Sequence, residues 1–178
     1  MNHPTKTDSF RRLAAIQIET VIDVGVAAKT ESLIAAYPHA LHLLVERDAS
    51  WLRVYPANYE GVSHVAYLMN ANETNRIDGL SFDGNALLKI DVDGGELQVL
   101  RGATGVLNHV AIVAVEATSD SICGLVQFAS EHSFRLFDIV ELCYCGNQLH
   151  QCDLIFVAER FCPLVFTPWS MESYQHFE

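Results

Sequence analysis

The sequence lacks any apolar run approaching the roughly 18 residues that a membrane-crossing helix needs, so no membrane partner is expected. Basic residues are scarce as well. Eleven Lys and Arg stand against 22 Asp and Glu, a formal net charge of −11, and no cluster of Lys and Arg stands out. Such a surface repels phosphate backbones, which argues against nucleic acid as substrate or partner and in favour of a small uncharged or cationic one. The opening residues, MNHPTKTDSFRRLAAIQIET, carry basic side chains but no apolar core with a cleavage site. Residues 1–19 therefore read as a frayed lead-in and not as a signal peptide, and a cytoplasmic location is expected. The glycine pattern GxGxxG is missing too, since Gly25 is followed by VAAKTE, and this counts against a nicotinamide cofactor. The five cysteines, Cys123, Cys143, Cys145, Cys152 and Cys162, form no paired CxxC knuckles. Cys143, Cys145, Cys152 and His150 are donor types that zinc accepts, but reduced thiols are the preferred reading and no metal is expected.

Half of the 178 residues are hydrophobic, enough for one substantial core. Short apolar runs predict strands over 21–24, 40–45, 64–69, 87–92, 110–115, 134–142 and 153–158. Between most of them lie segments with helical spacing, over 30–37, 49–55, 96–107 and 121–132, while the last two strands are joined only by the turn CGNQ. Alternation of this kind, closing in a hairpin, predicts an α/β fold with a mostly parallel, doubly wound sheet and an antiparallel edge.

Two stretches carry the chemistry. In ALLKIDVDGGELQVLRGA, Ala86 to Ala103, a buried-strand signal runs into Asp91 and Asp93, the pair Gly94 and Gly95, and an amphipathic helix. In TVIDVGVAAKTESLIAAYPHALHLLVE, Thr20 to Glu46, a strand ends at Gly25 and a second strand ends at Glu46. Carboxylates at strand exits sit where open α/β sheets bind ligands. The first stretch closely resembles the signature of the FkbM family of S-adenosylmethionine-dependent methyltransferases, whose usual form is LLKIDVEG followed by a small residue and then E, L and VLRGA. The second resembles that family's first cofactor-binding strand, turn, helix and second strand, so the likeness runs over about 20–158.

The resemblance implies a Rossmann-like class I methyltransferase fold with strand order 3-2-1-4-5-7-6, a methyltransferase domain over 20–160 and a tail over 161–178. It also implies S-adenosyl-L-methionine as cofactor and O-methylation of a small-molecule acceptor such as a sugar or polyketide. The family's cofactor-contacting turn maps to Asp23, Gly25 and Ala27; where the family has a second glycine, this chain has Lys29. Glu46 is placed to accept both ribose hydroxyls in a fork. Asn70 and Ala71, after the third strand, are expected to border the adenine. Asp91 is the expected reacting-end carboxylate, taking or orienting the acceptor proton, with Glu116 at the end of the fifth strand facing the same cleft. Asp93 is expected either to help Asp91 or to cap the helix that follows it, and Lys89, inside the apolar run, must find a carboxylate or reach an edge. The rival expectation is a catalytically impaired scaffold used for protein interaction, favoured by Lys29.

Overall fold

The computed structural model describes residues 4–26, 30–50, 59–68 and 77–170. Seven strands form one sheet in the order β3-β2-β1-β4-β5-β7-β6. They are β1 (Thr20–Val24), β2 (Leu41–Glu46), β3 (His64–Leu68), β4 (Ala86–Ile90), β5 (Val110–Thr118), β6 (Phe134–Cys145) and β7 (Gln148–Ala158). β1 to β5 are parallel, whereas β7 runs antiparallel to both β5 and β6. The expected order and class are thereby met. β6 and β7 reach several residues further than the apolar runs suggested, because their outer halves alternate with polar, solvent-facing side chains.

Among the described residues the α-helices are α1 (Lys6–Arg12), α2 (Glu31–Ala36), α3 (Glu96–Arg101), α4 (Ile122–Glu131) and α5 (Cys162–Val165). α1 corrects the expectation of a frayed lead-in. Thr5 and Asp8 form a reciprocal capping box at its start, and Phe10 and Leu13 are buried. The helix expected over 96–107 closes early, at Arg101, and the chain continues in turns to β5. Of the short helix expected over 49–55, Ala49 and Ser50 form a turn and the rest lies outside the described residues. Part of the tail is docked: Phe166 meets Phe137 edge-on at 5.5 Å, with the Arg135 guanidinium 4.2 Å from its ring.

Strands β1, β4 and β5 are buried on both faces, which is why they read as continuous apolar runs. One face, with Ile22, Leu88, Ile90 and Val115, packs on α3 and α4 through Val99, Leu100, Leu125 and Phe128. The other, with Val21, Leu87, Ala114 and Ile155, packs on α1 and α2 through Phe10, Leu13 and Leu33. β1 pairs with β2 on one side and β4 on the other, so the strand order reverses there and a crevice opens at the carboxyl ends.

Candidate active site

Three strand exits meet at that crevice, and backbone contacts fix them. The chain leaves β1 at Gly25 with φ of +79°, and a Cβ added there would fall 1.8 Å from the Asp91 carbonyl oxygen. Only glycine fits so close an approach in that conformation. The Gly25 N–H donates to the Val45 carbonyl at 3.0 Å, and the Asp91 N–H to the Val24 carbonyl at 3.0 Å. Glu46 completes the join, its Oε2 accepting the Val26 N–H at 3.1 Å. Gly25, Glu46 and Asp91 thus come together as the sequence reading requires.

The side chains are arranged less simply. Asp23 is fully buried beneath the turn and does not open onto the crevice, so direct contact with a ligand is not available to it in this geometry. Its Oδ1 lies 3.0 Å from Lys89 Nζ. The same amine donates to the Gly25 carbonyl at 2.6 Å and stands 3.7 Å from Asp91 Oδ2. Burial pushes the Asp23 carboxyl up, with Lys89 pulling against it. Lys89 therefore finds the partner its setting demanded, and ties the β1 exit to the β4 exit from below.

Glu46 departs from the expected fork. Oε1 already accepts the N–H groups of Arg47 at 2.7 Å and Asp48 at 3.1 Å, while among the described residues Oε2 accepts the Val26 N–H. Among the described residues, one lone-pair direction on Oε2 meets no donor. Asp93 does not cap α3. It takes a left-handed φ of 55°, and Glu96 instead accepts the Gly94 N–H at 2.8 Å, occupying the first turn where a carboxylate suits the helix dipole. Asp91, Asp93 and Glu116 bring carboxylate oxygens within 4.8 Å of one another, and the Gln151 side-chain amide donates to Glu116. Exposed acidic groups often gather without an ion, and none is assigned here.

A cavity of about 260 Å³ adjoins these exits, lined by Arg47, Val92, Asp93, Gly94, Gly95, Gln98 and Val99. The expected turn residue Ala27, the expected adenine neighbours Asn70 and Ala71, and Lys29 lie outside the described residues. A larger cavity, about 520 Å³, opens between α1 and α2 and gathers no catalytic group seen at the strand exits. Sequence reasoning missed Lys6 and Asp153, which pair at 2.9 Å on the α1 face of the sheet. Nothing local in either segment announces a contact between residues so far apart in the chain.

Residues 56–143 match the methyltransferase FkbM domain, a shorter span than the likeness read from the sequence. None of the curated proteins compared matches the chain. Among solved structures, a precorrin-6y C5,15-methyltransferase from Geobacter metallireducens superposes with a TM-score of 0.58 at 17% identity, covering 84% of each chain. An S-adenosylmethionine-dependent methyltransferase from Clostridium acetobutylicum gives 0.56 at 9% identity, over 82% of this chain and 86% of that one. A Streptococcus pneumoniae protein solved in complex with S-adenosyl-L-methionine gives 0.52 at 16% identity, over 84% of this chain and 72% of that one. At such identities the likeness establishes the fold, a class I Rossmann-like methyltransferase fold.

Proposed function

From a chain that carries an FkbM methyltransferase domain on this fold, we propose an S-adenosyl-L-methionine-dependent methyltransferase acting on a hydroxyl of a small molecule. The observation that carries the proposal is the meeting of Gly25, Glu46 and Asp91 at the topological switch point. A cofactor with a ribose and a charged amino-acid end asks for close backbone approach, a carboxylate at the second strand, and charge at the fourth. All three are at hand. When bound, S-adenosyl-L-methionine supplies a methyl carbon already activated by a positive sulfur.

The chain's own work is then alignment and proton handling. Glu46 offers its open Oε2 direction to a ribose hydroxyl, while its other contacts hold the β1 and β2 exits together. Asp91, partly exposed and steadied by Lys89, would accept the proton that the acceptor hydroxyl gives up on methylation. Glu116 sits within reach to share or relay that proton. The acidic surface, net charge −11, favours an uncharged or cationic acceptor.

Titration calorimetry on the whole protein tests the reading without knowledge of the acceptor. Binding of both S-adenosyl-L-methionine and S-adenosylhomocysteine is expected. Glu46→Ala should weaken both by about ten- to a hundredfold, the worth of hydrogen bonds to a charged group. Absence of binding by either ligand would overturn the enzymatic reading and leave the interaction scaffold in its place.

A further inference from the structure

The N-terminal helix lies outside the residues that match the methyltransferase domain, yet its first residue is a lysine buried among acids. Lys6 is 4% exposed. Its Nζ stands 2.9 Å from Asp153 Oδ2 on β7 and 3.5 Å from Glu141 Oε2 on β6. A lysine placed there must overcome a large desolvation cost, which only well-placed carboxylates offset.

The sheet register connects this amine to the candidate site. Asp153 is paired directly with Glu116 across β5 and β7, and directly opposed residues share a face with Cβ atoms about 4.5–5.5 Å apart. The same face carries Ala114 and Ile155 one step further in, and these pack on Phe10 and Leu13 of α1. Glu116 in turn lies with Asp91 in the carboxylate group at the crevice. A continuous line therefore runs from Lys6 through Asp153 and Glu116 to Asp91.

Backbone strain at the same place is a separate sign. Glu141 adopts a φ of 51° in an irregular stretch of β6, a left-handed conformation that is unfavourable for a non-glycine residue. From there its N–H donates to the Pro4 carbonyl at 3.2 Å, and its Oε1 accepts the Lys6 N–H at 3.3 Å. The strand is bent to grip the start of α1.

We propose that Lys6 is a positioning residue of the acceptor side, holding Asp153 and, through it, the Glu116 and Asp91 carboxylates that handle the acceptor proton. The inference rests on the reading of Asp91 and Glu116 given above. Without a cation at Lys6, Glu141, Asp153 and Glu116 would face one another as like charges, with Lys89 left to meet Asp91 at the far end of the line. Burial opposes the Lys6 charge, but Asp153 and Glu141 more than compensate and hold the amine above its ordinary value. Burial likewise holds the Asp153 carboxyl high, with Lys6 restraining it.

Carbon-13 NMR of side-chain carboxyls in the ligand-free protein tests this. The Asp153 resonance should titrate with a midpoint that rises by about one pH unit or more in Lys6→Met, and returns in Lys6→Arg. The Glu116 resonance should show an inflection at the Asp153 midpoint, move with it in Lys6→Met, and lose it in Asp153→Asn. A Glu116 resonance blind to Asp153, or an Asp153 midpoint unmoved in a folded Lys6→Met protein, would overturn the proposal. Should Lys6→Met fail to fold, the native and Asp153→Asn titrations of Glu116 decide alone. Calorimetry with S-adenosylhomocysteine on the same samples keeps the two questions apart: cofactor binding by a protein whose Glu116 ignores Asp153 would sink the Lys6 role while sparing the methyltransferase reading.

Discussion

At the scale of single residues the decisive group is Lys89. An ammonium in the middle of a central strand is unfavourable unless it is paired, and here it contacts Asp23, Asp91 and the Gly25 carbonyl together. Replacing it with methionine keeps the volume and strands Asp23 as a buried carboxylate with no cation. The expected loss is about 3–5 kcal/mol, read as a lower urea midpoint at unchanged slope. Lys89→Met combined with Asp23→Leu should recover much of it, because removing both charges of a buried pair is far less costly than removing one. A double variant no more stable than Lys89→Met would show that the pairing does not govern the loss. This much was legible in the sequence: a lysine inside LLKID has to find an acid. Which acid was not, because Asp23 reaches it only through the parallel pairing of β1 with β4, where the two are directly matched. The same gap explains Glu46, whose position was readable and whose occupied Oε1 was not, since that depends on how the loop after β2 folds back.

At the scale of elements, the exits of β1 and β4 stand or fall with Gly25. Gly25→Ala would force a left-handed alanine and drive its Cβ into the Asp91 carbonyl. The two effects together should cost about 2–5 kcal/mol and abolish cofactor binding in calorimetry. Gly79 has open space around it, so Gly79→Ala serves as control and should stay within about 0.5 kcal/mol of the native protein. Equal effects at both positions would mean that close approach is not what Gly25 provides. The strands were readable because apolar β-branched runs buried on two faces leave a strong mark, and so was the glycine turn. α1 was not, because residues 6–12 show no apolar periodicity long enough to signal a helix. Its evidence lies in a capping box and in contacts with β6 and β7, at the far end of the chain.

At the scale of the whole molecule, every charged side chain the sheet buries lies on the face covered by α1 and α2, and among the described residues the opposite face buries none. His42 belongs to this charged face. It is fully buried on β2, its Nε2–H donates to the Tyr37 carbonyl at 3.0 Å, and its ring meets Tyr59 edge-on at 5.5 Å. Burial lowers its proton affinity below the ordinary value of about 6.5. The unfolded chain then binds a proton that the folded one refuses. Stability contributed by neutral His42 is present above about pH 6.5 and is lost as pH falls from there toward the folded value, about 1.4 kcal/mol for each unit of separation. Asp23 and Asp153 act with the opposite sign, since a raised carboxyl pKa makes the fold lose stability as pH climbs from about 3.9 toward the folded value. Comparing urea midpoints of the native protein and His42→Gln from pH 7.5 to 5 separates the two, because the acids are common to both. The native protein should weaken over this window relative to the variant, whose curve is flatter. Parallel curves would mean that His42 keeps its proton on folding, and that the α1 and α2 face tolerates a third buried cation beside Lys6 and Lys89.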